Sequence, residues 1–257
     1  MVSVESVRIG IVVATYGEDR WYQLAKKRAV PSADAQTWQD EAGIWRVPRV
    51  TQTHLATGTL AEARNSAARS ISNYVDYLIF LDGDDELAPG YVKAMHEAAM
   101  FNPGALYVPA VKYVSKGGAA REPKFWPEQD HHDGNWLVIG TMVPCDAFYE
   151  TAEWSTDEDG EPVYVCSGGF EEYGLYEDWA LFARMQDLGY GPQKVPDAVY
   201  VAHRSNRSRN NAHPKERLYW HQKIGADLWP DLYEQPTPDE DEWHRLRSRN
   251  VRRIEAA

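Results

Sequence analysis

The chain has 257 residues, 43% of them hydrophobic, enough to fill the core of one large domain or two small ones, so disorder throughout is excluded. Its 27 Lys/Arg against 39 Asp/Glu give a net charge of −12, which argues against a nucleic-acid-binding surface because phosphate recognition needs clustered cations. No apolar run reaches the roughly 18 residues that span a bilayer, and the start MVSVESVRIG lacks a basic region followed by an apolar core, so the chain reads as cytoplasmic with no transmembrane segment.

Val7 to Thr15 is a short, β-branched, nearly continuous apolar run, the pattern of a buried parallel strand. A helix is predicted over Asp19 to Ala29, ending before Pro31. Ala42 to Thr53 reads as a second strand made irregular by Pro48. Thr59 is placed to cap a helix from Leu60 to about Tyr74, with Ala61, Ala67, Ala68 and Ile71 facing inward. Tyr77 to Leu81 is the clearest buried strand and runs directly into Asp82-Gly83-Asp84-Asp85; a helix from Pro89 to about Met100 follows. Alternating strands and helices predict an α/β fold with a mainly parallel sheet, whose ligands bind beyond the carboxyl ends of the strands.

Ala105 to Val114 continues the pattern as a strand, and then the alternation breaks. Trp136 to Pro144 and Pro162 to Cys166 read as short strands around an acidic turn, Asp157 to Gly160. Ser167-Gly168-Gly169-Phe170 reads as a tight loop, Tyr176 to Leu188 as an amphipathic helix ending at Gly189, and Ala198 to Ala202 as a last strand leading to His203. A polar stretch runs on to Asn211, Glu234 to Pro238 reads as a linker, and the remainder as a helix or tail. Residues 1–230 are thus expected to form one domain, with a first half up to about residue 115 and a second over 116–230, followed by a linker and tail over 231–257.

The charge is local. From Phe125 to Ala183 there are fourteen Asp/Glu and no Lys or Arg, together with Trp126, Trp136, Trp154 and Trp179, while the rest of the chain carries 27 cationic and 25 acidic residues. Acids beside tryptophans suit metal ions, sugars or a cationic partner; a solvated acidic loop over a Trp-rich core has the same composition. Cys145 and Cys166 have no zinc-ligand spacing and read as small buried apolar residues.

Three groups with ligand chemistry fall at predicted sheet ends: Asp82/Asp84/Asp85, Glu177-Asp178 and His203. Carboxylates at a strand tip are hard donors for Mg²⁺ or Mn²⁺ that leave positions open for substrate phosphates, and a distant His favours Mn²⁺. Glu177 and Asp178 open a helix, where they serve either as dipole-favoured caps or as a base against an acceptor hydroxyl.

Five strings, IGIVVATYG, GTLAEARNSAARS, YLIFLDGDDEL, GGFEEYGLYEDWALFARMQDLGY and VYVAHRS, occur in the order in which nucleotide-sugar glycosyltransferases of the GT-A (Rossmann-like) fold carry them. The chain resembles family 2 of these enzymes most, with features of polypeptide N-acetylgalactosaminyltransferases, over residues 8 to about 208. The resemblance implies transfer of a sugar from a nucleoside diphosphate donor, with a UDP-sugar favoured, to a hydroxyl of a protein or glycan acceptor. It implies that Thr15 and Tyr16 line the base pocket, that Arg64 approaches base or diphosphate, and that Asp82 contacts ribose or metal. Asp84 would ligate Mn²⁺ (or Mg²⁺), with His203 completing the shell. Asp178 would be the catalytic base of an inverting enzyme, supported by Glu177, and Gly168, Gly169 and Trp179 would border sugar and acceptor. Where the family carries a base-reading Asp, this chain has TQTHLATG, leaving His54, Asp34 or backbone groups for that contact.

Two other classes share some of these features. Nucleotidyltransferases combine a doubly wound sheet with paired carboxylates, but they open with a Gly-rich, cationic phosphate loop that ATYGEDRWY lacks. A non-catalytic carbohydrate-binding protein on the same fold would not need Asp178.

Overall fold

In the computed structural model, residues 7–115, 117–151, 153–156, 162–166, 168–203 and 214–234 are described. In chain order they form β1 (Ile9–Tyr16), α1 (Asp19–Lys27), α2 (Ala29–Asp34), β2 (Trp38–Gln39), β3 (Trp45–Arg46), β4 (Arg49–Leu55) and α3 (Leu60–Ile71). A 3-10 turn at Ser72–Tyr74 leads to β5 (Tyr77–Asp82), β6 (Glu86–Leu87), α4 (Tyr91–Phe101), β7 (Leu106–Val114), β8 (Met142–Pro144) and α5 (Cys145–Glu150). The remainder are β9 (Glu153–Thr156), β10 (Pro162–Cys166), α6 (Glu177–Asp187), β11 (Pro192–His203) and α7 (Pro214–Leu228).

The main sheet has strand order β4-β1-β5-β8-β7-β11-β6. β1 is parallel to β4 and β5, and β7 is parallel to β11. β8 runs antiparallel to both β5 and β7, so those two point the same way. Five strands therefore deliver their carboxyl ends to one edge, and Tyr16, Leu55, Asp82 and His203 all arrive there. The sheet is continuous across residue 115, because β8 and β11 from the second half pair with β5 and β7 from the first.

Side-chain alternation along β1 explains the two-faced packing. Ile9, Ile11 and Val13 join Ala25, Ala33, Tyr91 and Met95 on the face covered by α1, α2 and α4. Val12 and Ala14 face Ala63, Ala67, Ile71, Phe148 and Phe182 of α3, α5 and α6. A strand apolar on both faces needs helices on both, and these two cores supply them. Gly10 permits close packing: a Cβ there would lie 2.7 Å from Ile71 Cδ1.

α3 starts with a capping box. Thr59 Oγ1 accepts the Glu62 N–H at 3.1 Å, and the Glu62 carboxylate accepts the Thr59 N–H at 2.8 Å. This fixes the register that points Arg64 and Asn65 inward.

Some expectations are revised. The first helix breaks at Arg28 and a second begins at Ala29, with Pro31 in its first turn, where its missing N–H has no intrahelical partner to lose. Pro48 separates a small β2–β3 hairpin from β4 instead of distorting one long strand. Of Trp136 to Pro144 only Met142–Pro144 is strand; Trp136 and Leu137 are buried as core residues without strand pairing. Helix α7 was not anticipated. The acidic turn Asp157 to Gly160, Ser167, the polar stretch after His203 and the tail beyond Glu234 lie outside the described residues.

Cys145 is buried, and its Sγ–H donates to the Val75 carbonyl at 3.3 Å. Burial, with Asp76 and Asp146 nearby, pushes its thiol up to about 12. Between the ordinary thiol value and about 12 the unfolded chain releases this proton and the folded chain does not, so the group lowers stability as pH rises through that window. Peptide mapping after alkylation at pH 9 is expected to show Cys145 unlabelled in the native protein and labelled in denaturant; rapid native labelling would contradict its burial.

Candidate active site

The carboxyl edge of the sheet is organised by Arg64. Its guanidinium donates through Nη2 to Asp82 Oδ1 at 2.6 Å and through Nη1 to Glu177 Oε1 at 2.9 Å, and it lies 4.7 Å from the centre of the Phe170 ring. The side chain is only 4% exposed. Burial alone would lower its pKa, but Asp82 and Glu177 outweigh that and hold it charged. One cation thus ties the tip of β5 to the first turn of α6.

Asn65 fixes the next loop. Its Nδ2–H donates to the Phe170 carbonyl at 2.8 Å while its Oδ1 accepts the Phe170 N–H at 2.9 Å. The Gly169 N–H donates to Thr151 Oγ1 at 2.8 Å. Gly168 and Gly169 have φ of 68° and 90°, and a Cβ on Gly169 would fall 2.4 Å from Phe148 Cζ. Glycine is needed here for both conformation and space. The loop enters α6 through Tyr176, a non-glycine residue at φ 63°, whose hydroxyl accepts from Arg217 Nε at 2.8 Å.

Glu177 and Asp178 are adjacent but differently placed. Glu177 is buried against Arg64, whereas Asp178 is half-buried. Asp178 Oδ1 accepts the Trp179 N–H at 2.9 Å and Oδ2 accepts from Asn135 Nδ2 at 3.3 Å. Trp179 turns away from the edge: it is 1% exposed, its Nε1–H donates to the His131 carbonyl at 2.8 Å, and His221 stacks on it at 4.6 Å.

At the β5 tip the acids are crowded. Gly83 allows the turn to approach Thr15, since a Cβ would sit 2.7 Å from Thr15 Cγ2. Asp85 is buried and braces β11, accepting the Tyr200 hydroxyl at 2.9 Å and the His203 N–H at 2.7 Å. Burial, then Asp82 and Asp84, push its pKa well up. Burial and then Asp82 also raise Asp84. His203 arrives beside them with Nε2 2.5 Å from Glu86 Oε2.

Asp82 and Asp84 offer hard oxygen donors of the kind that suit a divalent cation at one strand tip. The ligand atoms of Asp82, Asp84 and His203 do not gather within 4.8 Å of one another, and His203 Nε2 instead meets Glu86.

At the neighbouring tips, Thr15 is 4% exposed and its Oγ1 lies 3.0 Å from His54 Nδ1. Tyr16 is 37% exposed. The Tyr22 and His54 rings are 5.4 Å apart. Asp34 lies at the end of α2 and is exposed. Sequence reasoning missed Asn65, Thr151 and Tyr200; the spacings of 105 residues from Asn65 to Phe170 and 115 from Tyr200 to Asp85 leave no local signal.

No protein-family profile and no curated protein matches the sequence. Solved structures of S. aureus TarS share the fold. TarS 1–349 in complex with UDP-GlcNAc aligns with a TM-score of 0.55 at 14% identity, covering 86% of this chain and 66% of that one. TarS 1–349 in complex with UDP aligns at 0.50 and 14%, covering 85% and 64%. A longer TarS aligns at 0.52 and 14%, with 86% and 39% covered. The chain thus spans just under two thirds of the shorter TarS chains. The likeness, with the mixed and mainly parallel sheet flanked by helices, shows the GT-A fold. No helix among the described residues is long and apolar enough to cross a membrane.

Replacing Arg64 by Met leaves Glu177 buried and Asp82 half-buried without their cation. Breaking such a pair costs about 3–5 kcal/mol, the lower end applying because Asp82 is 34% exposed. Urea unfolding of Arg64→Met is expected to show that loss; wild-type stability would remove Arg64 from its organising role. Gly169→Ala is expected to cost about 2–4 kcal/mol in the same assay, from a strained φ together with overpacking against Phe148.

Proposed function

We propose that the chain is a glycosyltransferase that moves a sugar from a nucleoside diphosphate donor, preferably a UDP-sugar, to an acceptor hydroxyl. The observation that carries this reading is the Arg64 bridge, which sets the Asp82/Asp84 strand tip and the Glu177-Asp178 helix start on the same edge. A plain metal site needs only the first, and a plain helix cap only the second. The UDP-GlcNAc and UDP bound by TarS support the donor class.

In this reading the exposed Tyr16, with Tyr22 and His54, offers rings against the base, while Thr15 sets the His54 tautomer rather than touching nucleotide. Asp82 and Asp84 hold Mn²⁺ or Mg²⁺, which when bound stabilises the charge developing on the leaving diphosphate. Arg64 is too enclosed to grip the diphosphate and acts through Asp82, keeping that carboxylate aimed. Asp178 is the general base: it is the half-exposed member of its pair, and Asn135 orients it. Glu177 is a positioning residue that anchors α6 to Arg64, so that Asp178 stays put when acceptor binds. Gly168 and Gly169 border the sugar with backbone. Trp179 supports the acceptor side from behind.

The acceptor follows from charge. The stretch from Phe125 to Ala183 lacks any cation and would repel an anionic glycan, which favours a neutral sugar or a cationic polypeptide; the GGF string tips the choice to a protein acceptor.

Incubated with Mn²⁺ and a set of UDP-sugars, the protein is expected to release UDP, and Asp84→Ala to lower that rate at least about 100-fold while keeping its circular dichroism. An unchanged rate in Asp84→Ala would sink the assignment of the β5 tip. Asp178→Asn is expected to bind UDP like the wild type by calorimetry and to lose about 10²–10⁴-fold in transfer to an acceptor; loss of UDP binding as well would make Asp178 a structural cap.

A further inference from the structure

Between β7 and β8 a turn places Asp130, His131 and His132 so that one ligand atom from each lies within 4.8 Å of the others. Asp130 Oδ1 is 2.6 Å from His132 Nδ1 and 3.7 Å from His131 Nδ1. The two imidazoles lie side by side, tilted by 35°, with centres 4.1 Å apart. On their far side Asp187, from the last turn of α6, has Oδ1 2.8 Å from His131 Nε2 and 3.6 Å from His132 Nε2. Asp187 is itself held, because Trp229 Nε1–H donates to its Oδ2 at 2.9 Å.

His131 meets Asp187 through Nε2 and has Nδ1 on the side of Asp130, and a carboxylate behind a histidine ring in this way is the usual outer support of a metal-bound histidine. Two imidazole nitrogens with one carboxylate oxygen form a three-ligand set typical of Zn²⁺, with water as the fourth partner. Mg²⁺ and Mn²⁺ prefer harder oxygen sets, so this trio differs in kind from Asp82 and Asp84.

The backbone of the same turn is already fastened. Trp179 of α6 donates to the His131 carbonyl, the Tyr233 hydroxyl donates to the His132 carbonyl at 2.6 Å, and His221 Nε2 of α7 lies 2.8 Å from the Asp133 carbonyl. His132 also packs 4.7 Å from Trp229. The ligands thus sit on a preformed frame, where little ordering entropy opposes binding.

We propose that Asp130, His131 and His132 form a Zn²⁺ site with one position open to water, with Asp187 supporting His131 from the far side and so tying the site to α6 and, through Trp229, to the segment after α7. On binding, Zn²⁺ displaces the proton shared by His132 Nδ1 and Asp130, and that proton leaves to solvent; no redox change occurs. The site stands independently of the proposed transfer reaction.

The test uses the full chain, stripped with a chelator, in the Asp84→Ala background, which weakens Zn²⁺ binding at the sheet edge. Calorimetry with Zn²⁺ alone is expected to show about one ion per chain. Thermal melts are expected to rise by about 5–10 °C once free Zn²⁺ is a hundredfold above Kd, with Mn²⁺ giving no comparable rise. Co²⁺ in place of Zn²⁺ is expected to show the visible absorption of a four-coordinate ion. His131→Ala and His132→Ala should each abolish the Zn²⁺ shift, and Asp187→Asn should weaken binding about 10–100-fold while the metal-free protein still melts cooperatively. No Zn²⁺ shift in the Asp84→Ala protein, or a shift retained in both histidine variants, would overturn the proposal.

Discussion

A single buried guanidinium sets the geometry on which the rest of the sheet edge depends. Arg64 reaches Asp82 18 residues away and Glu177 113 residues away, and neither contact would be made by chain connectivity alone. The planar fork of Arg suits this task better than Lys, because two separated carboxylates can each meet their own N–H pair while the flat face packs on Phe170. Desolvating three charged groups is expensive, so such a bridge contributes little net stability over an apolar cluster; what it does is make any other placement of α6 more costly. Asn65 extends the same constraint by pinning Phe170 from both sides of its peptide.

The four acids from Asp82 to Glu86 illustrate how one short segment divides its labour. Asp82 is ion-paired, Asp85 is enclosed by Tyr200 and the His203 amide, and Glu86 takes the His203 ring. Asp84 has no ion pair among the described residues, and Arg28 bonds to its carbonyl rather than its carboxylate. Arg28 and His203 act on the Asp84 carboxylate only through their charge, and in the proposed function a divalent cation adds to that compensation. The Asp130–His131–His132 turn differs in chemistry, using imidazole where the edge uses carboxylate, and it meets α6 at Trp179 and Asp187.

How much of this was legible in the sequence depended on whether the signal was local. β1 and β5 announce themselves as apolar runs, and Thr59-x-x-Glu62 marks the start of α3. Pro48 was legible as an interruption but not as the boundary between a hairpin and β4. Helix α7 was missed because its sequence shows no apolar stripe: its buried positions are Glu216, Ile224, Gly225 and Ala226. Trp179 reads as a site residue from its place beside Asp178, yet helical rotation carries the next side chain inward, and the indole becomes core. The acidic excess between Phe125 and Ala183 proves to be several things: Glu177 answers Arg64, Asp178 meets Asn135, and Asp130 meets two histidines. No composition argument separates these, since each is defined by a partner distant in sequence.

In the proposed function, donor and acceptor chemistry share the edge organised by Arg64, and a crystal structure of the protein with UDP and Mn²⁺ is the direct test. The diphosphate and the ion are expected at Asp82 and Asp84, the base near Tyr16 and His54, and Asp178 facing the open side of the diphosphate with the Arg64 bridge intact. UDP bound elsewhere, or bound with Arg64 released from Glu177 to grip the phosphates, would contradict it.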